Sequence, residues 1–195
     1  MTVAILLVLM AIAVPAIFTI RKNLIAESKV NWIFTCYRGS MDCDEKSRGT
    51  DMELKPEVVE NLIEEAFQAQ MRAYVPYSRF SVGAALLTRK GKIYRGCNIE
   101  NASYTPTNCA ERTAFFTAVS EGVREFDAIA IVGNGRFVLR GEGDYCPPCG
   151  VCRQVMREFC DPETFQIILA KSEKEYRIYK LKELLPLGFG PENMI

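Results

Sequence analysis

The chain has 195 residues and carries 24 basic and 24 acidic side chains, so its formal net charge is zero. This length suggests one domain plus an appendage. The two signs of charge are interleaved, which excludes the basic stripe expected of a protein that grips a phosphate backbone. No histidine occurs in the chain, so a metal site would have to use cysteine, aspartate or glutamate.

The N-terminal part of the chain differs in character from the rest. Residues 3–20 form an almost wholly apolar run that is followed by Arg21 and Lys22. A transmembrane helix needs roughly 20 such residues, and basic residues after it would leave the rest of the chain in the cytoplasm. Two interpretations stay open for residues 1–22: a membrane anchor, or an extension that the functional mature protein lacks. Residues 23–52 are polar and weakly patterned, which predicts a linker.

The folded domain is predicted to begin with a helix and two strands. Pro56 suits a first helical position, and apolar residues from Val59 to Phe67 recur at the spacing of a buried helical face. The stretches Phe80–Thr88 and Ile93–Asn98 are typical of two paired strands.

The rest of the domain alternates helices with strands. Helices are predicted from Cys109 to Ser120 and from Cys149 to Phe159. Strands are predicted at Phe126–Val132, Phe165–Ala170 and Tyr176–Leu181, with a further short strand at Phe137–Leu139 inside the loop 133–143. This order predicts an α/β fold with three layers (α/β/α), in which helices cover both faces of a central mixed five-stranded sheet.

Two short cysteine stretches carry the main functional signal. Cys109 stands at the start of one predicted helix, and Cys149 and Cys152 open the other. Three thiolates fill three corners of a tetrahedral zinc site, and a catalytic zinc keeps the fourth corner for water. Glu111 lies two residues after Cys109, near enough to activate that water and to shuttle its proton. The pattern therefore predicts a zinc-dependent active site.

Charge balance points to one more residue of this site. Three thiolates on one zinc ion leave a net negative charge, which would hold up the pKa of the bound water. Arg112 is a fixed cation next to Glu111, and we expect it to hydrogen-bond a thiolate sulfur. The alternative for Arg112 is an ordinary arginine on a helix surface.

Other interpretations of the cysteines stay open. A C-x-x-C pair alone also fits a redox dithiol or half of a structural zinc knuckle. Cys146 offers a second local pair, and as a fourth ligand it would close the metal to water. We expect the two prolines between Cys146 and Cys149 to direct Cys146 away. Clustering of thiols beside Glu111 fits metal binding in a reducing compartment.

Several motifs follow one another along the domain: YSRFSVGAAL at 77–86, GCNIENASY at 96–104, CAERTA at 109–114, PCGVCRQ at 148–154, and LLP at 184–186 with FGP at 189–191. With these motifs in this order, the segment from about residue 54 to 193 resembles the small homotetrameric cytidine deaminases of the all-cysteine zinc type. The resemblance implies that residues 53–195 are the catalytic domain. The sequence departs from the family pattern at Pro147, where a small serine or alanine is usual.

This resemblance implies hydrolytic deamination of cytidine and deoxycytidine to uridine and deoxyuridine, with release of ammonia, in pyrimidine salvage. In such a site a zinc-activated water attacks C4 of the base. Glu111 would take the water proton, protonate N3 and help to expel ammonia. Asn98 and Glu100 match the positions that hold the ribose 3′-hydroxyl, and Phe80 matches the residue that packs against the base.

The resemblance also implies an assembly. Ala102 would lie beside the base and offer backbone hydrogen bonds. Tyr104 and Phe189 match residues that complete the pocket of a neighbouring subunit, which implies a homotetramer.

Three rival functions remain at this stage. One is deamination of another cytosine-like compound, such as an aminopyrimidine antibiotic, although Asn98 and Glu100 favour a ribose. A carboxylate at Glu100 would also repel a phosphate, which favours free nucleosides over nucleotides. The second rival is a membrane-tethered zinc module without catalysis, which would need four protein ligands. The third, editing of a polynucleotide, is disfavoured by the absence of a basic surface, and no nucleic-acid partner is expected.

Overall fold

A computed structural model describes residues 54–194 of the chain. The first helix, α1 (Pro56–Gln70), begins at a proline. The fixed φ of proline suits the first position of a helix, where a backbone N–H would have no hydrogen-bond partner within the helix. The elements in chain order are α1 Pro56–Gln70, β1 Phe80–Thr88, β2 Ile93–Cys97, α2 Ala110–Ser120, β3 Phe126–Gly135, α3 Gly150–Phe159, β4 Gln166–Ala170, β5 Tyr176–Lys180, α4 Leu181–Leu184 and a 3-10 helix at Pro191–Met194.

The five strands form one mixed sheet in the order β2-β1-β3-β4-β5. Strands β3 and β4 are parallel, and every other neighbouring pair is antiparallel. The parallel pair needs a crossover connection, and helix α3 supplies it. The predicted mixed five-stranded sheet is confirmed.

Successive residues of the central strands pack on opposite faces of the sheet. Leu86, Ile129 and Ile131 belong to a cluster with side chains of α2 and α3. Ala85 and Ala130 belong to a second cluster with side chains of α1. One helix therefore covers one face and two helices cover the other, which confirms the three-layer α/β/α prediction.

Two strand glycines set how closely the helices approach the sheet. A Cβ atom on Gly83 would lie 2.0 Å from the carbonyl oxygen of Ala66 in α1. A Cβ atom on Gly96 would lie 2.2 Å from the carbonyl oxygen of Ala110 in α2. Neither strand has room for a methyl group there, so the first turn of α2 has a fixed place against β2.

The largest error of the sequence-based prediction lies after β3. This strand runs to Gly135, whereas the sequence predicted an end at Val132 and a short strand at Phe137–Leu139. That short strand is wrong, because residues 136–140 form a turn and irregular backbone. Gly133 continues the ladder by pairing with Val82, because its missing side chain leaves room for the side chain of Cys146.

Two predictions fall outside the described residues. The apolar run at 3–20 and the linker at 23–52 stay predictions, and so do the domain boundaries drawn from them. Between residues 54 and 194, no helix combines the length and the apolar character that crossing a bilayer requires.

Candidate active site

The N-termini of α2 and α3 carry the three cysteines. Cys109 occupies the N-cap of α2, and Cys149 occupies the N-cap of α3. Cys152 lies in the first turn of α3 and is buried, and its backbone N–H donates to the Cys149 sulfur at 3.4 Å. The free N–H groups and dipole of a helix N-terminus stabilise a thiolate, so both helices favour negative charge at this place.

The three sulfur atoms have the spacing of a metal site. The Cys109 and Cys149 sulfurs are 3.8 Å apart, the Cys149 and Cys152 sulfurs are 3.3 Å apart, and all three lie within 4.8 Å of one another. Zinc–sulfur bonds of about 2.3 Å in a tetrahedron require sulfurs about 3.8 Å apart. The donor set and its spacing therefore fit zinc.

Cys146 does not join this cysteine group, which is the single candidate metal cluster of residues 54–194. Its sulfur lies instead against β3, 2.7 Å from where a Cβ atom of Gly133 would stand. Burial raises the pKa of the Cys146 thiol to about 12, so it stays protonated at neutral pH. Three protein ligands leave one corner of a tetrahedral ion open, as catalysis requires and a closed structural site does not.

Two of the thiols, those of Cys109 and Cys152, do not ionise equally. The hydrogen bond from Cys152, helped by Arg112, lowers the pKa of Cys109 to about 5 against the effect of burial. The same hydrogen bond, together with burial and the nearby negative charges, raises the pKa of Cys152. The Cys109 thiolate thus forms readily and opposes ionisation of Cys152, and a divalent cation between the sulfurs would relieve this opposition.

Arg112 joins the cysteine group to the loop before α2. Its Nη2 atom donates to the carbonyl oxygen of Thr107 at 3.0 Å and approaches the Cys109 sulfur at 3.6 Å. Its buried Nε atom has no hydrogen-bond partner among the described residues. The guanidinium group therefore stands where it can offset the negative charge of the thiolates.

Glu111 is the buried carboxyl group of the site. Its side chain lies in the first turn of α2, and the residue is 4% exposed. Burial, with a further contribution from the negative charge of Cys109, raises the pKa of Glu111 from 4.5 to about 7. A carboxyl group that gains and loses its proton near neutral pH suits general acid–base catalysis.

Asn98 and Phe80 lie where β2 ends and β1 begins. The Asn98 Oδ1 atom accepts from the Val82 N–H at 2.8 Å, and its Nδ2 atom donates to the Phe80 carbonyl at 2.9 Å. The amide thus fixes the backbone of Phe80, whose ring is 41% exposed. Each end of the Asn98 amide keeps capacity for one more hydrogen bond.

Glu100 lines a surface pocket of about 440 Å³. The Oε2 atom accepts from the backbone N–H groups of Tyr77 at 2.9 Å and Ser78 at 3.2 Å. Hydrogen bonding from Ser78 lowers the pKa of Glu100, so this carboxylate is ionised at neutral pH. Tyr104 and Thr107 complete the lining, and Thr107 is the residue whose carbonyl receives Arg112. The pocket and the cysteine group therefore share one loop.

Three predicted substrate residues lie on the surface of the single chain. Ala102 is exposed, and Tyr104 is 74% exposed with a left-handed φ of 58°. Phe189 is 59% exposed and its carbonyl accepts from Gln154 Nε2 at 2.9 Å. Of these three, Tyr104 lines the pocket, and Ala102 and Phe189 do not.

Sequence reasoning missed the residues that hold the predicted ones. Ser78 orients Glu100 and could have been suspected, because it lies inside the YSRF motif. The Thr107 carbonyl accepts a hydrogen bond from Arg112, and the Gln154 side chain donates one to the Phe189 carbonyl. Thr107 acts through its backbone oxygen, which leaves no signal in the sequence.

The fold and the site define a zinc-dependent hydrolytic deaminase: an α/β/α sandwich with three cysteines and a buried glutamate at two helix N-termini. The sequence profile described as "Cytidine and deoxycytidylate deaminase zinc-binding region" matches residues 56–168. The chain belongs to this family, and its metal cofactor is zinc. The predicted family, fold class and cofactor are confirmed.

Individual relatives agree with this assignment. A cytidine deaminase of Sporosarcina psychrophila is 49% identical over 136 residues, which are 70% of this chain and 94% of the relative. A cytidine deaminase of Halalkalibacterium halodurans is 51% identical over 133 residues, 68% of this chain and 95% of the relative. The crystal structure of cytidine deaminase from Burkholderia pseudomallei has 47% sequence identity and a TM-score of 0.60, and the match covers 66% of this chain and 97% of that one.

Proposed function

We propose that this chain deaminates cytidine and deoxycytidine to uridine and deoxyuridine, consuming one water and releasing one ammonia, in pyrimidine salvage. The observation that carries the proposal is the buried carboxyl group of Glu111 beside three clustered thiols on two helix N-termini. The likeness to named cytidine deaminases at about half identity supports the choice of base.

The residues divide the chemistry between them. Cys109, Cys149 and Cys152 would hold zinc, which would supply a Lewis acid that activates water at neutral pH. Glu111 would take a proton from the attacking water and deliver it to N3 of the base. It would then take the proton of the hydroxyl group formed on C4 and pass it to the amino group, so that ammonia leaves as the C4 carbonyl forms. Its pKa of about 7 allows both the acceptance and the donation at neutral pH. Arg112 balances the thiolate charge through Cys109.

The pocket supports a free nucleoside as the substrate. Glu100 is an ionised carboxylate held by two backbone N–H groups, so it can accept a sugar hydroxyl but repels a phosphate. Asn98 keeps hydrogen-bonding capacity for the same ribose 3′-hydroxyl, and Phe80 offers an exposed ring to the base. Backbone groups of Ala102 would complete the base contacts.

We propose a homotetramer in which subunits complete each other's pockets. Tyr104 and Phe189 support this assembly, because both present large aromatic side chains to solvent in the single chain. Exposed aromatic rings are typical of residues that a partner covers. We place the catalytic domain in the cytoplasm, where the six described cysteines, all free, would stay reduced. No nucleic-acid partner is proposed.

The test compares zinc-loaded wild type with Glu111→Gln, by the loss of cytidine absorbance. The matched control is Glu121→Gln, the same substitution at the other end of α2, where the side chain contacts Lys92 and Tyr94. We expect wild type and control to turn over cytidine and deoxycytidine. Glu111→Gln should lose a factor of about 10² or more while it keeps its zinc.

Two results would contradict the proposal at different points. Wild-type protein that holds zinc but leaves cytidine untouched would reject the substrate, and a panel of other aminopyrimidines would follow. Full activity of Glu111→Gln would reject the proton role of Glu111. A separate Glu100→Gln variant should lose discrimination against cytidine 5′-monophosphate, and unchanged discrimination would remove Glu100 from the specificity argument.

A further inference from the structure

The outer face of α3 holds the C-terminal segment, defined here as residues 184–194. Arg153 Nη1 donates to the Leu184 carbonyl at 2.5 Å. One residue later, Gln154 Nε2 donates to the Phe189 carbonyl at 2.9 Å. Cys149 caps the same helix and Cys152 lies in its first turn, so one helix carries two of the three metal-site cysteines and the anchors of the C-terminal segment.

The tightest of these contacts involves Arg157. Its side chain is only 11% exposed and pairs with Glu192. A Cβ atom on Gly190 would lie 2.4 Å from the Arg157 Cζ atom and 2.6 and 2.7 Å from its Nη atoms. The backbone of Gly190 therefore lies against the guanidinium group, and a side chain at this position would displace that group.

Gly190 is itself part of a closed turn. Its N–H donates to the Asn193 Oδ1 atom at 2.7 Å, and the Asn193 N–H donates back to the Gly190 carbonyl at 2.9 Å. The preceding residue is Phe189, which is 59% exposed. A residue so exposed has little packing of its own to hold it, so its position depends on the backbone anchors at its carbonyl and at Gly190.

We propose that Arg157 is a positioning residue: it fixes Gly190 on α3 and thereby sets where Phe189 stands on the surface of the subunit. The effect on substrate binding rests on the proposed function, because it assumes that Phe189 completes the nucleoside pocket of a neighbouring subunit. The effect of Arg157 on the C-terminal segment itself does not depend on the proposed function. A purely structural role would lower stability without changing substrate binding selectively.

The experiment compares Arg157→Ala with Glu158→Ala, a substitution at the neighbouring exposed position of the same helix. Hydrogen exchange should become about tenfold faster at the Gly190 and Asn193 amides in Arg157→Ala, and should stay unchanged in the control. Zinc content should be equal in both. For cytidine we expect KM to rise about tenfold with kcat within about twofold of wild type, because the contact is lost equally from ground state and transition state.

A double-mutant cycle ties the effect to Phe189. Phe189→Ala should raise KM by itself, and adding Arg157→Ala to it should change KM by less than about twofold, because both act through one contact. Additive effects would overturn the positioning role. Arg157→Lys keeps the charge towards Glu192 but not the planar group against Gly190, so full rescue by lysine would also overturn it.

Two other outcomes, misfolding of Arg157→Ala and failure of the proposed function, can be distinguished from failure of the positioning role. If Arg157→Ala does not fold, Glu192→Ala at a site that is 57% exposed removes the ion pair alone. That variant should speed exchange at Gly190 by a smaller factor, and wild-type exchange in it would count against the proposal. If zinc-loaded wild type leaves cytidine untouched, the proposed function fails, while the exchange measurement still decides whether Arg157 holds the segment.

Discussion

Burying the Glu111 carboxyl group should cost the fold stability, and the cost should depend on pH. Replacing Glu111 with glutamine keeps the shape and removes the ionisation. The folded-state pKa is about 7 and the ordinary value is 4.5, a difference that corresponds to about 3 kcal/mol at 1.36 kcal/mol per pH unit. In zinc-stripped protein, Glu111→Gln should therefore be about 3 kcal/mol more stable than wild type at pH 8.

The sign follows from which state holds the proton. Below pH 4.5 the carboxyl group is protonated in both the folded and the unfolded state, and the two proteins should be about equally stable. Between pH 4.5 and 7 the folded state keeps a proton that the unfolded state has lost, so the stability of wild type falls relative to the variant as pH rises. Above pH 7 the difference should level off.

Urea unfolding followed by far-ultraviolet circular dichroism measures this difference, with a reductant and a chelator present. Glu158→Gln, at an exposed position of α3, is the control and should change stability by less than about 0.5 kcal/mol at either pH. The same stability difference between wild type and Glu111→Gln at pH 5 and pH 8 would refute the reasoning. That result would mean that the Glu111 carboxyl group is not buried away from water.

Three further predictions follow from the packing around the site. Arg112→Ala should weaken zinc binding by about 10- to 100-fold in competition with a chromophoric chelator, because the thiolate charge loses its counter-ion; unchanged affinity would leave Arg112 a surface residue. Gly96→Ala should destabilise the fold by about 1–3 kcal/mol, measured by urea unfolding, and should also reduce zinc content, because the new methyl group meets the Ala110 carbonyl. The control Gly135→Ala should change neither stability nor zinc content. Ile129→Ala, at a fully buried position, should cost about 2–5 kcal/mol of unfolding free energy without changing the metal-to-protein ratio at saturating zinc.

The parts of the site that could be predicted from the sequence are those encoded locally. Cys109 and Glu111 are two residues apart at a helix start, and Cys149 and Cys152 are three apart at another, so their spacing and the helix pattern favoured a zinc site over a redox pair. The alternation of apolar strands with helices likewise predicted the three-layer fold. Arg112 could be predicted because its contact with Cys109 spans less than one helical turn.

The parts that could not be predicted depend on contacts between distant segments. The sequence suggested that β3 ends before Gly133, because glycine often interrupts a strand. In the structure Gly133 stays paired in the sheet, because the side chain of Cys146 packs where a side chain of Gly133 would be. Gln154 reaches Phe189 across 35 residues of sequence. No local sequence pattern predicts such a contact, so the role of α3 in holding the C-terminal segment is visible only in the folded chain.

The separation of the cysteines along the chain has a consequence for how the protein folds. Cys149 and Cys152 are close neighbours in any conformation, whereas Cys109 is 40 residues from Cys149. In the folded chain the two groups are brought together by a sheet in which β3 pairs with β1 and β4. Pairings between distant segments form slowly, so we expect capture of zinc by the full set of ligands to come late in folding. A nascent chain can hold the ion first on the local pair, and the third sulfur then joins when the domain is complete.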